Sequence, residues 1–290
     1  AMVNRFRILW NRLRCWHSVN EWKWSRMEIL SKIVLINLTT VVAMMIIGWI
    51  VSLIYRNVTV VDSLWGLGFV LIAWITLVLT DGYAARRVLI AVMVTIWGLR
   101  LSLYLSWRNW GKGEDPRYGL WRKESGEKFW IVSLFKVFIL QAVVMWCISL
   151  APQFGQISPS PNHLTWLDIV GACVWASGFL FESVGDWQLA RFKSNPENKG
   201  KVMDRGLWAY SRHPNYFGEF LVWWGIFFVA FATPGSWWTV FSPVIVTVVL
   251  LKMTGIPLTE KTITSTRPGY LEYVRRTNAF FPWFPKKEGG

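Results

Sequence analysis

Histidine and cysteine are scarce in this 290-residue chain, with three of each, and the chemistries that need them are scarce with them. His17, His163 and His213 lie far apart in the sequence, so the histidine-rich sites of membrane di-iron enzymes cannot be assembled. Cys15, Cys147 and Cys173 show neither a pairing pattern nor a Cys-x-x-Cys spacing, and they fix no redox compartment. The chain contains no His-Glu-x-x-His run and no phosphate-binding P-loop. Gly66-x-Gly68 and Gly111-x-Gly113 both lack the third glycine of the dinucleotide fingerprint, which excludes a Rossmann unit. No metal site is expected, and no internal repeat supports an inverted-repeat transporter.

Charge is also thin, at 17% of residues against 53% hydrophobic. With 22 tryptophans and a mean hydropathy of +0.33, the chain does not read as a soluble domain. Apolar runs of about twenty residues recur, each long enough to cross roughly 30 Å of hydrocarbon. They predict an all-α, polytopic integral membrane protein of about seven spans, near 33–55, 58–80, 86–107, 129–151, 164–187, 216–233 and 237–256. Residues 33–290 form a single membrane domain in this reading. No cleavable signal sequence is expected, because the first apolar run follows some thirty polar and aromatic residues.

Acidic residues are the scarcer charge, 17 against 31 Lys and Arg, for a net charge of +14. The cations sit at membrane borders, which argues against a nucleic-acid partner and makes them a topology signal. The loop after the third span, the loop at 190–215 and the tail from Pro257 carry six Lys or Arg each; the loops at 152–163 and 234–236 carry none. Seven spans then place the C-terminus in the cytoplasm. Residues 1–32 carry seven Lys or Arg interleaved with Trp10, Leu13, Trp16, Trp22 and Trp24, a pattern suited to an interfacial helix in the headgroup plane. Either that helix lies on the far surface or the span count is off by one.

Against this apolar background a few polar residues stand out, since each intramembrane charge costs at least a few kcal/mol and needs a partner or a purpose. The run Ser211-Arg212-His213-Pro214-Asn215-Tyr216-Phe217-Gly218-Glu219 is the densest. Proline suits the first turn of a helix, so one starts near Pro214 with its free N–H groups flanked by Arg212 and His213, an anion site. Arg212, Asn215 and Glu219 follow at spacings of three and four and are expected on one face. Glu182 and Asp186 stack four apart near the end of the fifth span. Arg100, Tyr104 and Arg108 form one stripe on the third, and Asp62 is a candidate partner for Arg100 or a substrate contact. A short amphipathic helix, Tyr270 to Arg276, follows the Pro268-Gly269 turn, and Phe280 to Pro285 suits an interface rather than a helix.

The motif from Gly206 to Glu219, followed by Gly255-Ile256-Pro257-Leu258-x-Glu260-Lys261 and by Arg267-Pro268-Gly269-Tyr270-x-Glu272-Tyr273-x-Arg275-Arg276-Thr277, resembles the DUF1295 branch of the steroid 5-alpha-reductase-like membrane proteins. Trp97-Gly98-x-Arg100-Leu101 and Glu114-Asp115-x-Arg117-Tyr118 resemble the same branch, so the likeness covers roughly residues 58–287. It implies a bundle that reduces a C=C bond of an enone lipid or steroid-like substrate with NADPH, held by the part from 181 to 290. By motif, Asp186, Asn215 and Glu219 match the cofactor-contacting positions, and Lys193 and Lys201 fall near the phosphate-contacting ones. Tyr210, Arg212, His213, Tyr216, Glu260, Tyr273 and Arg276 complete the expected cofactor set. Tyr104 matches the catalytic tyrosine loosely, Arg100 lies beside it, and Asp62 is the nearest candidate for the substrate-side acid. The family's substrate-side Gln-Glu pair has no counterpart here, so steroid specificity does not carry over.

A second reading stays open. Arg212-His213-Pro214-x-Tyr216-x-Gly218 and Tyr270-x-x-Tyr273 are shared with isoprenylcysteine and phospholipid methyltransferases, which bind S-adenosylmethionine in the same region. NADPH carries a pyrophosphate and a 2′-phosphate and needs several cations, and Lys193, Lys199, Lys201, Arg205 and Arg212 favour it. A non-enzymatic lipid-binding or scaffold protein would leave Glu219 and Asp186 without a role. The expected partners are membrane lipids and an apolar substrate, with no obligate protein partner.

Overall fold

The computed structural model describes residues 2–253 and 255–286, residues 2–27 by their backbone alone. Among the described residues every regular element is helical. The first three passes are α1 (Met2–Ile54), α2 (Val60–Leu79) and α3 (Ala84–Asn109). Next comes α4 (Pro116–Ser125), capped by the Asp115 side chain with Pro116 in its first turn. The fourth pass is broken into α5 (Phe129–Ser133), α6 (Leu140–Ile148) and α7 (Leu150–Ile157), with a π-helical turn over Leu134–Ile139.

The fifth pass, α8 (Trp166–Ser194), opens with a capping box between Thr165 and Asp168. One turn, α9 (Leu207–Tyr210), precedes α10 (Pro214–Phe231), which starts on Pro214 as the sequence predicts. The last pass is α11 (Phe241–Val248), continued by a π-helical turn over Val249–Met253. Two short helices follow, α12 (Ile256–Thr266) and α13 (Tyr270–Arg276), joined at Gly269, whose φ of 85° suits glycine.

The chain is therefore an all-helical, multi-pass membrane bundle. Six helical stretches among the described residues are long and apolar enough to cross a bilayer, one fewer than the seven expected. The exception is α10, whose first turns spend three positions on Asn215, Tyr216 and Glu219 and so dilute its apolar run. It still traverses the bundle, because the loops on either side of it lie at opposite ends. At one end the Val58 N–H donates to Glu114 (2.9 Å), the Asp115 N–H donates to Thr59 (2.8 Å), and Arg276 pairs with Asp204. At the other end the Tyr83 N–H donates to the Ser158 carbonyl (3.0 Å), and Phe154 packs on Trp238 with ring centroids 5.1 Å apart. The cation-rich loops and the tail all gather at the first end.

The expected separate interfacial helix at 1–32 takes another form. Its backbone is helical and runs into the first span without a break; the side chains on which the interfacial reading rests lie outside the described residues up to Met27. Far from the cation-rich end, Arg86 is fully buried. It forms a two-pronged ion pair with Asp168 (2.7 and 2.9 Å) and donates to the carbonyls of Pro161 and His163. That satisfies a guanidinium whose burial would otherwise be prohibitive.

The pair that positions the site is α8 against α10, the most extensive helix contact in the bundle. Gly171 and Gly178 of α8 recur at seven residues, as do Gly218 and Gly225 of α10, and the two rows face each other. A Cβ on Gly178 would sit 2.6 Å from the Gly218 carbonyl oxygen, and one on Gly171 would sit 2.7 Å from that of Gly225. Small residues let membrane helices approach backbone to backbone, which dispersion then rewards. The next glycine in the α8 row, Gly185, lies against the backbone of Asn215. The seam thus brings the C-terminal third of α8 onto the first turns of α10.

Candidate functional site

Beside that seam α3 presents Arg100 to α8. The guanidinium pairs with Asp186 (2.8 Å) and with Glu182, and Glu182 also accepts from the buried indole of Trp97 (2.9 Å). Asn215 of α10 donates its amide to the second oxygen of Asp186 (3.2 Å). One turn further along α10, Glu219 makes no hydrogen bond or ion pair with any described side chain, and Arg100 and Asp186 are its charged neighbours. The cluster therefore holds three carboxylates around one guanidinium. Two polar atoms in it are buried without a partner, Arg100 Nε and Asn215 Oδ1. An orphaned buried donor or acceptor costs about 1–3 kcal/mol, so such atoms invite a ligand.

The walls around this cluster differ on its two sides. Inward, Phe69, Trp97 and Trp223 pack together with centroids 4.6–5.7 Å apart, Trp97 edge to face with the other two. Next to them an internal cavity of about 30 Å3 is lined by Glu219 and eight apolar side chains, among them Trp65, Phe69, Trp223 and Leu250. Outward, Lys193 is surrounded by Arg267, Arg108 and Lys112, with Asp186 as its acidic neighbour. None of these four cations forms an ion pair among the described residues. Tyr104 lies between the inner and outer groups, its ring 5.9 Å from both Arg100 and Arg108.

The other expected site residues are placed elsewhere. Asp62 does not pair with Arg100, which α8 has already claimed twice over; its charged neighbours are Arg117 and Arg108. Arg212 does not share a face with Glu219, because its residue precedes the helix and the side chain turns outward. It donates to Glu260 (2.8 Å) and to the carbonyls of Val274 (3.1 Å) and Thr277 (2.7 Å). His213 also meets Glu260 (3.1 Å) and stacks on Tyr216 at 5.4 Å, while the Tyr216 hydroxyl reaches Thr259 (3.3 Å). Burial holds the His213 imidazole below its ordinary value despite the bond to Glu260.

These residues form a clamp for the C-terminal segment. The buried Tyr273 hydroxyl donates to the Trp208 and Ser211 carbonyls. Tyr210 is half exposed against Phe284 and accepts from the Trp283 N–H (2.9 Å). Arg276 is spent on Asp204, and Lys201 offers its carbonyl to Arg267 while its side chain stays exposed. Of the expected cofactor set, then, Asp186, Asn215 and Glu219 share the buried cluster, with Lys193 at its rim. Arg212, His213, Tyr216, Glu260, Tyr210, Tyr273, Arg276 and Lys201 hold the tail. The cluster's own additions are Glu182 and Trp97, together with Arg108, Lys112 and Arg267 outside. Glu182 was signalled by its four-residue spacing to Asp186 and Arg108 by its stripe with Arg100 and Tyr104; for Trp97, Lys112 and Arg267 no spacing pointed to this site.

The fold and cluster define a polytopic α-helical membrane protein with a polar site buried among its third, fifth and sixth passes. The chain belongs to the DUF1295 family, described as a protein of unknown function, which it matches over residues 48–277. That span includes every residue of the cluster. It is also 26% identical over 266 residues to the uncharacterized protein C594.04c of Schizosaccharomyces pombe (strain 972), covering 81% of this chain and 75% of the yeast protein. No solved structure matches it.

Proposed function

We propose that the chain is an NADPH-dependent membrane reductase of a C=C bond in an apolar, enone-type lipid, with its C-terminus in the cytoplasm. The observation that carries this reading is the two-sided site. Buried hydrogen-bonding groups at Asn215, Asp186 and Arg100 sit beneath four cations, Lys193, Arg108, Lys112 and Arg267, that form no ion pair among the described residues. A dinucleotide presents a polar, largely uncharged nicotinamide and ribose at one end and phosphates at the other. Asn215 Oδ1, an acceptor in want of a donor, and Asp186 fit a carboxamide or ribose hydroxyls; the rim cations fit phosphate oxygens. When bound, the reduced nicotinamide supplies a hydride; the protein supplies position, polarity and a dry apolar wall. The resemblance noted in the sequence supports the same chemistry. Gathering of the cation-rich loops at one end supports a cytoplasmic placement for that end.

One observation favours the second reading, an S-adenosylmethionine-dependent methyltransferase. Three carboxylates around one guanidinium suit a ligand that carries positive charge, as a sulfonium and an ammonium do. The rim weighs the other way, since S-adenosylmethionine has no phosphate to engage four cations. Titration of the detergent-purified protein with NADPH, NADH and S-adenosylmethionine decides between them. We expect NADPH to bind at least about tenfold more tightly than NADH, the effect of one charge-assisted contact of roughly 1.5–3 kcal/mol. Binding of S-adenosylmethionine alone ends the reductase reading.

A further inference from the structure

Glu219 differs from the two acids beside it. Glu182 and Asp186 divide the guanidinium of Arg100 between them, and each gains a second donor, Trp97 for one and Asn215 for the other. Glu219 gains none. Glu219 instead forms part of the wall of the cavity, which is otherwise lined by Trp65, Phe69, Val144, Ile148, Trp223, Val246, Val249 and Leu250. Among the described residues no other charged or hydroxyl-bearing side chain lines that space. At about 30 Å3 the cavity has room for about two water molecules. An ionised carboxylate beside two others that already divide Arg100, and against an apolar wall, has no ion pair or hydrogen-bond donor of its own and no solvation shell. A carboxylic acid needs neither, and it turns an acceptor-only group into a donor.

We infer that Glu219 is a neutral carboxylic acid, with water-sized space beside it, that hydrogen-bonds the single polar oxygen of an apolar ligand and serves as its proton donor. Only the use of the proton rests on the reductase reading. After hydride has been added to the β-carbon of the enone, the enolate left on the substrate takes the proton from the Glu219 carboxyl. The O–H bond breaks, a C–H bond forms at the α-carbon, and the carboxylate takes up one proton from solvent, so that one hydride and one proton balance the reduction. This role moves the donor from Tyr104, which the sequence suggests, to a residue that lines the apolar space. Tyr104 lies instead between two guanidinium groups at the polar side of the cluster.

Infrared spectroscopy of the purified full-length protein in detergent reads the protonation state without any ligand or turnover. The expected result is a carboxylic-acid C=O stretch at neutral pH, shifted in D2O, that disappears in Glu219→Gln and persists in Glu182→Gln. A wild-type protein without the band, or a band that survives Glu219→Gln, overturns the inference. A band lost in both variants assigns the proton to the pair and overturns its placement on Glu219. If Glu219→Gln does not fold, Glu219→Asp keeps an acid there and moves the band without removing it; an unmoved band again overturns the proposal. Titrating NADPH against the same wild-type sample keeps the two readings apart. Absence of NADPH binding ends the reductase reading and leaves the infrared result standing.

Discussion

Asn215 and Arg212 stand three residues apart in one motif yet do unlike things, and single substitutions should separate them. Asn215→Leu removes the amide that Asp186 holds and the orphaned oxygen beside it. Loss of one such hydrogen bond to a charged group is worth about 1.5–3 kcal/mol, so NADPH affinity in a titration should fall roughly ten- to hundredfold. Thermal unfolding should change little. Arg212→Ala should do the reverse. It removes from three partners a mostly buried guanidinium that ties α10 to α12 and α13, and loss of one member of such a pair destabilises by about 3–5 kcal/mol. Unfolding in detergent should shift strongly downward, and NADPH affinity measured well below that transition should change less than it does for Asn215→Leu. Equal effects on affinity would return Arg212 to the site.

At the scale of helices the decisive feature is the glycine seam between α8 and α10. Gly178→Ala puts a methyl group against the Gly218 backbone at 2.6 Å, where no side-chain rotation can relieve it. Overpacking of this kind costs about 1–3 kcal/mol, and by moving Asp186 away from Asn215 it should also weaken NADPH binding. Gly119→Ala in α4 has nothing within 4 Å and should be neutral or stabilising by up to about 1 kcal/mol, since alanine is the better helix former. A pair of unfolding curves checks both. The loop before α4 predicts a pH response. Burial opposes ionisation of Glu114, but the hydrogen bonds from Arg122 and the Val58 N–H prevail and hold it below its ordinary value of 4.5. The folded state thus favours the carboxylate, and its contribution is complete above pH 4.5. It is lost as pH falls through the lower folded value. Protease nicking between residues 111 and 128 should therefore rise on acidification, and Glu114→Gln should abolish that rise.

For the whole molecule the testable statement is sidedness. Two single cysteines, Lys123→Cys and Asn162→Cys in a chain whose own cysteines are replaced, should react with an impermeant maleimide from opposite faces of sealed vesicles. Position 123 should share the face of a C-terminal tag. Labelling of both cysteines from one face would contradict the seven passes. The seven passes include α10, whose first turns carry Asn215, Tyr216 and Glu219 into the bundle.

The sequence alone determined whatever depends on local spacing and on the bilayer's demand for apolar runs. That includes the helical passes, the helix start at Pro214, the pairing of cation-rich loops with one end, and the four-residue stack of Glu182 and Asp186. It also placed Arg100 and Tyr104 on a common stripe, because periodicity within one helix is written in the chain. Which helices become neighbours is not written there. Arg100 had Asp62 as its candidate partner until α8 was set beside α3, and Arg212 was expected to face Glu219 until the tail folded back to take it. The glycines at 171, 178 and 185 and at 218 and 225 carried a legible hint of the α8–α10 pair, since recurrence at seven residues keeps them on one face. The rest was decided by tertiary structure, because a buried charge takes whichever partner the packing brings within reach.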